Sequence, residues 1–336
     1  MRPSYARRQA TPGASEFVTD TQRQRRRHGP VMNLPVLPPV RQPLDLRAMV
    51  LVMMLCIIWG CQQVVMKSVV SDVAPVLQLA IRFAGSAAFF GIWVSVTEGR
   101  SAFSDGTLPS GLLLGLMFTL EFLLIGQAIV HTTAAHVVVF LYSAPIFTAL
   151  GLQFLPEERL GGLQWLGIAT AFLGIVVAFL GPGGRPMADL MVGDLLALLA
   201  GAAWGLSNVV LRRGRVGNAG TAKTVFYQVS IAALLLYGFA VVTDQARLVP
   251  TMAALAAIVF QTVMISVVSY LVWFWLLRHY LTSRLMLFSL MTPLFGVLFG
   301  AWFLHDRIDL RFGLGAVLVL GGILIVNSQM SRKRAT

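Results

Sequence analysis

The side chains able to do chemistry in this sequence are few and lie where water is scarce. Arg82 and Glu121 fall inside long apolar stretches. An ionisable group near the centre of a membrane helix costs about 2.5–3.5 kcal/mol on insertion scales, so it pairs with a partner or faces a cavity. Counted from the nearer ends of their stretches, Arg82 lies about 10 Å deep and Glu121 about 14 Å deep at 1.5 Å of rise per residue. These depths predict that the two meet across neighbouring helices, with Glu121 as the proton-accepting or cation-contacting group; a permanent structural ion pair is the alternative. Gln78, one turn from Arg82, would form a polar vestibule with Gln127 and His136. For His136 the favoured reading is a satisfied interior histidine bonded to a neighbouring carbonyl.

A second set couples aromatic rings to amides. Trp59 and Gln63 are four residues apart and share a helix face, as do Trp204 and Asn208. Such groups can stack against a solute and hydrogen-bond it, with Tyr142, Tyr227 and Gln228 completing a central pocket; helix packing or an interfacial aromatic belt is the alternative for each ring alone. Other chemistries lack their residues. His131 and His136 stand five apart with no Glu between them, which misplaces them for one metal ion. Neither a Gly-x-Ser-x-Gly elbow nor a phosphate-cradling Gly-x-x-x-x-Gly-Lys-Ser/Thr loop occurs. Cys56 and Cys61 share one apolar segment and suit neither a disulfide framework nor a metal site. No catalytic residue, metal or cofactor is expected.

The elements that must position these groups follow from composition. Of 336 residues 57% are apolar and 12% charged, and the mean hydropathy is +0.77. A fold with an aqueous exterior is excluded, and each span must satisfy its own backbone as a helix. Windows of about 20 residues predict an all-α integral membrane protein of ten transmembrane helices. Five lie near 46–68, 75–97, 109–130, 132–153 and 162–180; five more lie near 193–212, 222–243, 252–276, 281–304 and 310–327. The net charge of +12 would point to nucleic acid in a soluble protein; here its distribution matters more. With the N-terminus inside, 20 of the 26 Lys and Arg residues fall on inner segments and five on outer ones, which places both termini in the cytoplasm. Residues 1–45, rich in Arg and Pro, read as a disordered basic cytoplasmic tail, and 328–336 as a short basic one. Met32 offers a second start, so residues 1–31 are open to being an upstream extension.

An internal repeat runs through the spans. Pro145 and Pro293 are each followed by an acid (Glu158, Asp306), an arginine (Arg159, Arg307) and two glycines (Gly167 and Gly174; Gly315 and Gly322), all at one offset of 148 residues. Trp59-Gly60 and Trp204-Gly205 open the two halves. Each half holds an odd number of spans, so the second enters the membrane inverted, the arrangement of carriers that expose a central site to each side in turn. Pro145 and Pro293, read as lying within their helices, become candidate hinges. Glu158, Arg159, Asp306 and Arg307 become candidate gates, with Glu157 and His305 beside them. Gly111/Gly115, Gly201/Gly205 and Gly296/Gly300 would let helices approach closely within one subunit.

The Trp-Gly start, the Arg82-Phe83 pair, the Pro145 helix followed by Glu157-Glu158-Arg159-Leu160, and the Gly167/Gly174 helix resemble the EamA (RhaT-like) repeat of the drug/metabolite transporter superfamily. His305-Asp306-Arg307-Ile308 departs from the usual Glu-Arg-Leu. The resemblance covers repeats at 46–180 and 193–327. It implies a multi-pass carrier of the cytoplasmic membrane moving a small organic solute, often outward, with the lipid bilayer and a coupling proton or cation as partners, no nucleic acid, and a monomer or homodimer. A channel, a scaffold or an intramembrane enzyme is the competing class, and none of these accounts for an inverted repeat.

Overall fold

The ends of the helices are set by local chemistry. The computed structural model describes residues 45–152, 161–179, 187–213, 219–280, 285, 291–306 and 308–333. Helix α1 (Leu46–Ser68) starts where the Asp45 carboxylate accepts the Ala48 N–H at 2.7 Å, which satisfies one of the orphan donors of a first turn. Proline stands in the first turn of α2 (Pro75–Thr97) and α3 (Leu108–His131), where its missing N–H costs nothing. The Thr133 hydroxyl caps α4 (Ala134–Leu141) by accepting the His136 N–H. There follow α5 (Ala144–Leu152), α6 (Gly162–Phe179), α7 (Met187–Arg213) and α8 (Thr221–Val242). Next comes a continuous rod: α9 (Met252–Phe260), a π-helical segment Gln261–Val268 and α10 (Ser269–His279). Helices α11 (Thr292–Phe303) and α12 (Leu310–Lys333) complete the described chain. No strand occurs among the described residues; an isolated bridge joins Val73 to Leu248.

Six helical stretches are long and apolar enough to cross a membrane, and shorter apolar helices accompany them at Trp165–Gly174, Thr292–Phe303, Leu310–Gly322 and across α4 and α5. The fourth expected span is not one helix. It breaks at Tyr142 and Ser143, so Pro145 lies in the first turn of α5. Pro293 likewise lies in the first turn of α11. The expectation of prolines kinking helix interiors is therefore corrected: a first-turn proline removes no intrahelical hydrogen bond, and α4 ends before Pro145 is reached.

Helices from the two halves interleave. Helix α2 packs on α8, α4 on α11, and α6 on α12. A Cβ on Gly167 would lie 2.8 Å from the Gly322 carbonyl oxygen, and one on Gly174 would lie 2.7 Å from that of Gly315. The earlier glycine of α6 thus meets the later one of α12 and vice versa, so these two helices run antiparallel with their backbones in contact. The remaining contacts also pair off. Helix α3 packs on α7 and α8 as the rod packs on α1 and α2, although α3 and α7 meet far more extensively than the rod and α1. The Gly111, Gly115, Gly201, Gly205, Gly296 and Gly300 positions each abut a neighbouring helix of the same chain.

Candidate functional site

A cavity of about 240 Å³ opens between helices of both halves. From α1 it is lined by Trp59, Gln62 and Gln63, and from α3 by Phe118, Glu121 and Phe122. Tyr142, at the break between α4 and α5, adds a ring; Trp204 and Asn208 come from α7, Gln228 from α8, and Tyr270 and Trp273 from α10. Four residues advance about one helical turn, which is why each Trp shares its helix face with an amide.

The two Trp-amide pairs are held differently. The Trp59 indole N–H donates to Ser269 Oγ at 2.9 Å, and its ring meets Trp273 edge-on at 5.4 Å. Trp204 meets Tyr142 edge-on at 5.5 Å. Asn208 donates to Thr148 Oγ1 at 3.3 Å, whereas the buried Gln63 carbonyl oxygen has no hydrogen-bond partner. One amide is thus braced by a neighbouring helix and the other keeps an unused acceptor.

Glu121 is 5% exposed and its Oε2 has no hydrogen-bond partner. Arg82 is fully buried behind the cavity wall, with its guanidinium carbon 4.4 Å from the Phe83 ring centre and 4.9 Å from that of Phe122. None of its three guanidinium nitrogens has a hydrogen-bond partner. The two groups lie within electrostatic reach of each other and of Tyr270, yet no hydrogen-bonded ion pair joins them. The two aromatic faces offset part of the buried charge.

Of the residues singled out by spacing, Trp59, Gln63, Glu121, Tyr142, Trp204, Asn208 and Gln228 line the cavity. Tyr227 does not: its ring packs over Gly111 and its hydroxyl lies 3.1 Å from Thr107 Oγ1, near the start of α3. One position along a helix turns a side chain by about 100°, which separates it from Gln228. The expected vestibule is also corrected. Gln78 is buried, donating to the Met66 and Val73 carbonyls and accepting from Gln261, and Gln127 donates to Gln245. Asp306 accepts the Ala135 N–H at 3.3 Å. Glu157, Glu158, Arg159 and Arg307 lie outside the described residues.

Where the vestibule was expected, a polar cluster fills the space instead. His136 Nδ1 lies 2.9 Å from Asp194 Oδ2, and the Thr132 hydroxyl donates to Asp194 Oδ1 at 2.6 Å; all three residues are buried. The His136 ring stacks on Phe312 at 4.0 Å with planes 4° apart. Lys67 donates to the Ile129 and Thr132 carbonyls, which lack intrahelical partners at the C-terminal end of α3. Five helices, α1, α3, α4, α7 and α12, meet there. Asp194 escaped the sequence reading because it sits just inside the boundary of a span, where an acid normally reads as a solvated end. At the opposite end of α3, the buried Lys223 ammonium donates to the Ala102 carbonyl and, at 2.6 Å, to Asp105. That contact, with the Thr107 hydroxyl and N–H, holds the Asp105 carboxyl down at about 2.

The EamA-like transporter family model matches residues 46–180 and again 191–328. The chain is 24% identical over 287 residues to the uncharacterized transporter YoaV of Bacillus subtilis (strain 168), covering 83% of this chain and 96% of that one. It is 27% identical over 295 residues to a protein of Escherichia coli (strain K12) named probable amino-acid metabolite efflux pump, covering 82% and 93%. A protein of known crystal structure, 17% identical, superposes with a TM-score of 0.60 over 85% of this chain and 97% of its own, a likeness of fold.

Proposed function

The chain belongs to the EamA-like transporter family, and from that premise we propose that it is a secondary active carrier that moves a small organic solute across the cell membrane by alternating access. In this reading ten spans form two inverted five-helix halves, 46–180 and 193–327, with both termini in the cytoplasm. The observation that carries it is one cavity lined by side chains of both halves, beside a glycine seam whose helices run antiparallel. A site shared between inverted halves is opened to one side or the other by rocking them.

The asymmetry of packing supports a bundle closed at one end. The α3–α7 contact and the Asp194 cluster close one end of the cavity, while the equivalent contact of the rod with α1 is looser. Trp59, Trp204, Tyr142, Gln63, Asn208 and Gln228 hold the solute, Glu121 accepts a coupling proton, and the break before Pro145 with the start of α11 at Pro293 lets the halves rock. Asp306 joins the closed end. The name of the Escherichia coli relative makes amino-acid-derived solutes and outward transport the first to test.

Two experiments test the reading. Ser104→Cys and Arg247→Cys, placed singly in a background lacking Cys56 and Cys61, sit in equivalent exposed loops of the two halves; a membrane-impermeant thiol reagent should reach them from opposite faces, and labelling from one face ends the inverted arrangement. In proteoliposomes, saturable counterflow is expected, and Glu121→Gln should abolish its pH dependence. Ohmic, non-saturating currents would establish a channel instead.

A further inference from the structure

We propose that the pocket takes a solute of one net negative charge together with one proton, the pair entering and leaving as an electroneutral unit. This rests on the carrier reading and adds to it the charge class of the solute.

Among the cavity-lining residues described, Glu121 is the one carboxyl and no basic side chain appears. One layer behind the wall stands Arg82, against Phe122, which does line the cavity. A guanidinium does not lose its proton in a protein and carries five N–H donors. Here it is fully buried and every nitrogen lacks a hydrogen-bond partner. The nearby Glu121 Oε2 is unused as well. A structural ion pair would have closed the gap between them; this site holds two opposite charges apart beside an open cavity.

The charge count then selects the cargo. With Glu121 ionised, Arg82 and Glu121 sum to zero. Adding a monoanion leaves a buried negative charge, and adding a cation leaves a buried positive one, both expensive in a poorly solvated site. Protonating Glu121 removes the negative charge, so a monoanion facing Arg82 restores neutrality. The proton comes from water on the side where the pocket is open, forms an O–H bond on the Glu121 carboxylate, and returns to water on the other side as the solute leaves. A zwitterion changes no net charge and gains nothing from the proton.

Other titratable groups do not alter this count. Tyr142 and Tyr270 face Glu121 from the α4–α5 break and from α10; Cys56 lies near Tyr142 on α1. Helices α7 and α8, packed on α3, bring Asp194, Lys223 and Tyr227. These are occupied by Thr132 and His136, by Asp105, and by Thr107.

The test uses three probes with the same ring: N-acetylphenylalanine, phenylalanine and phenylalaninamide, compared at about pH 6, where the α-amino groups are protonated and the three carry one negative, no net and one positive charge. Binding to the full chain is read by quenching of Trp fluorescence, since Trp59, Trp204 and Trp273 line the cavity. The acetylated anion should bind at least about tenfold more tightly than the other two, a difference of about 1.4 kcal/mol. Its Kd should rise about tenfold per pH unit once Glu121 ionises, the linkage of one proton to one anion. Glu121→Gln should bind the anion with a pH-flat Kd. Arg82→Gln should weaken it about tenfold or more, and Arg82→Lys, which keeps the charge, should restore part of the loss. Counterflow of the anion should not respond to an imposed membrane potential.

Tighter binding of phenylalaninamide or phenylalanine, a pH-flat Kd in the unmodified protein, potential-driven anion exchange, or no saturable quenching by any of the three overturns the inference. Counterflow that favours the amide would leave the carrier reading standing while removing this one. Absence of counterflow for every solute would remove the carrier reading, and the binding data would still decide the charge class.

Discussion

Where the end of α3 meets the first turns of α7, Asp194 is buried with its oxygens engaged by Thr132 and His136, and Lys67 is met by two carbonyls. In the middle, Arg82, Glu121 and Gln63 are buried just as deeply and retain polar atoms without partners. Burial is the same in the two places and satisfaction is opposite. A paired buried charge fixes the helices that carry it, because removing one partner leaves the other stranded. An unpaired one lacks the contacts that would pin its helix in place, and its desolvation goes uncompensated. The first region is held by its own contacts and the second is not.

The comparison breaks most sharply at stability. Asp194→Ala strands the His136 ring and the Thr132 hydroxyl, so it should lower unfolding stability by about 3–5 kcal/mol. Gln63→Leu removes an acceptor that nothing satisfies, and should leave stability unchanged or raised by up to about 1 kcal/mol while weakening solute binding. Thermal unfolding of both variants in one detergent measures the contrast; equal losses would show that the mid-bundle groups are structural after all.

The sequence made the two regions unequally legible. Apolar windows located α1, α2, α3 and α8 to within a residue or so, because lipid enforces length and hydropathy together. The glycine series at constant offset pointed to positions that now face one another across α6 and α12. Helical periodicity put Trp59, Gln63, Trp204 and Asn208 on faces that could share a cavity, and they do line one. Periodicity reports direction around one helix and not what stands opposite, so Tyr227 was grouped with Gln228 and the partners Tyr270 and Trp273 were missed. Hydropathy averages over about 20 residues and cannot register a break of two, which hid the end of α4 at Tyr142. The Asp194 pairing joins residues 58 and 62 apart in the chain, a contact that no local pattern encodes.

The antiparallel seam offers a second way to sharpen the contrast, since its specificity resides in close backbone approach rather than polar pairing. Gly174→Leu would drive a side chain into the Gly315 carbonyl and the Val319 backbone, where α12 has no flexible group to yield. Overpacking of this kind typically costs about 1–3 kcal/mol. The reciprocal Gly322→Leu should cost a similar amount, and the double variant should not be additive because both act on one interface. Gly162, with nothing near its Cβ position, should accept Ala at no measurable cost. A seam that tolerates leucine at both positions would mean that α6 and α12 do not pack this closely.

The smallest effect is expected at the Lys223 end, where the pair is half in water. Asp105 is held near 2, first by the Lys223 ammonium and then by Thr107, against an ordinary value of 3.8. Because its folded value lies below its unfolded one, Asp105 contributes stability that is fully present above about 4 and is lost as pH falls toward 2. The Asp105 side chain is 45% exposed, so solvent screens the contribution. Asp105→Asn should therefore cost a small, solvent-screened amount of stability above about pH 4, flatten the acid limb over that window and match the unmodified protein near pH 2, with Lys223 still bonded to the Ala102 carbonyl. A large loss at neutral pH would place this end with the Asp194 cluster as a rigid clamp, and the difference between paired ends and unpaired centre would then extend over the whole length of α3.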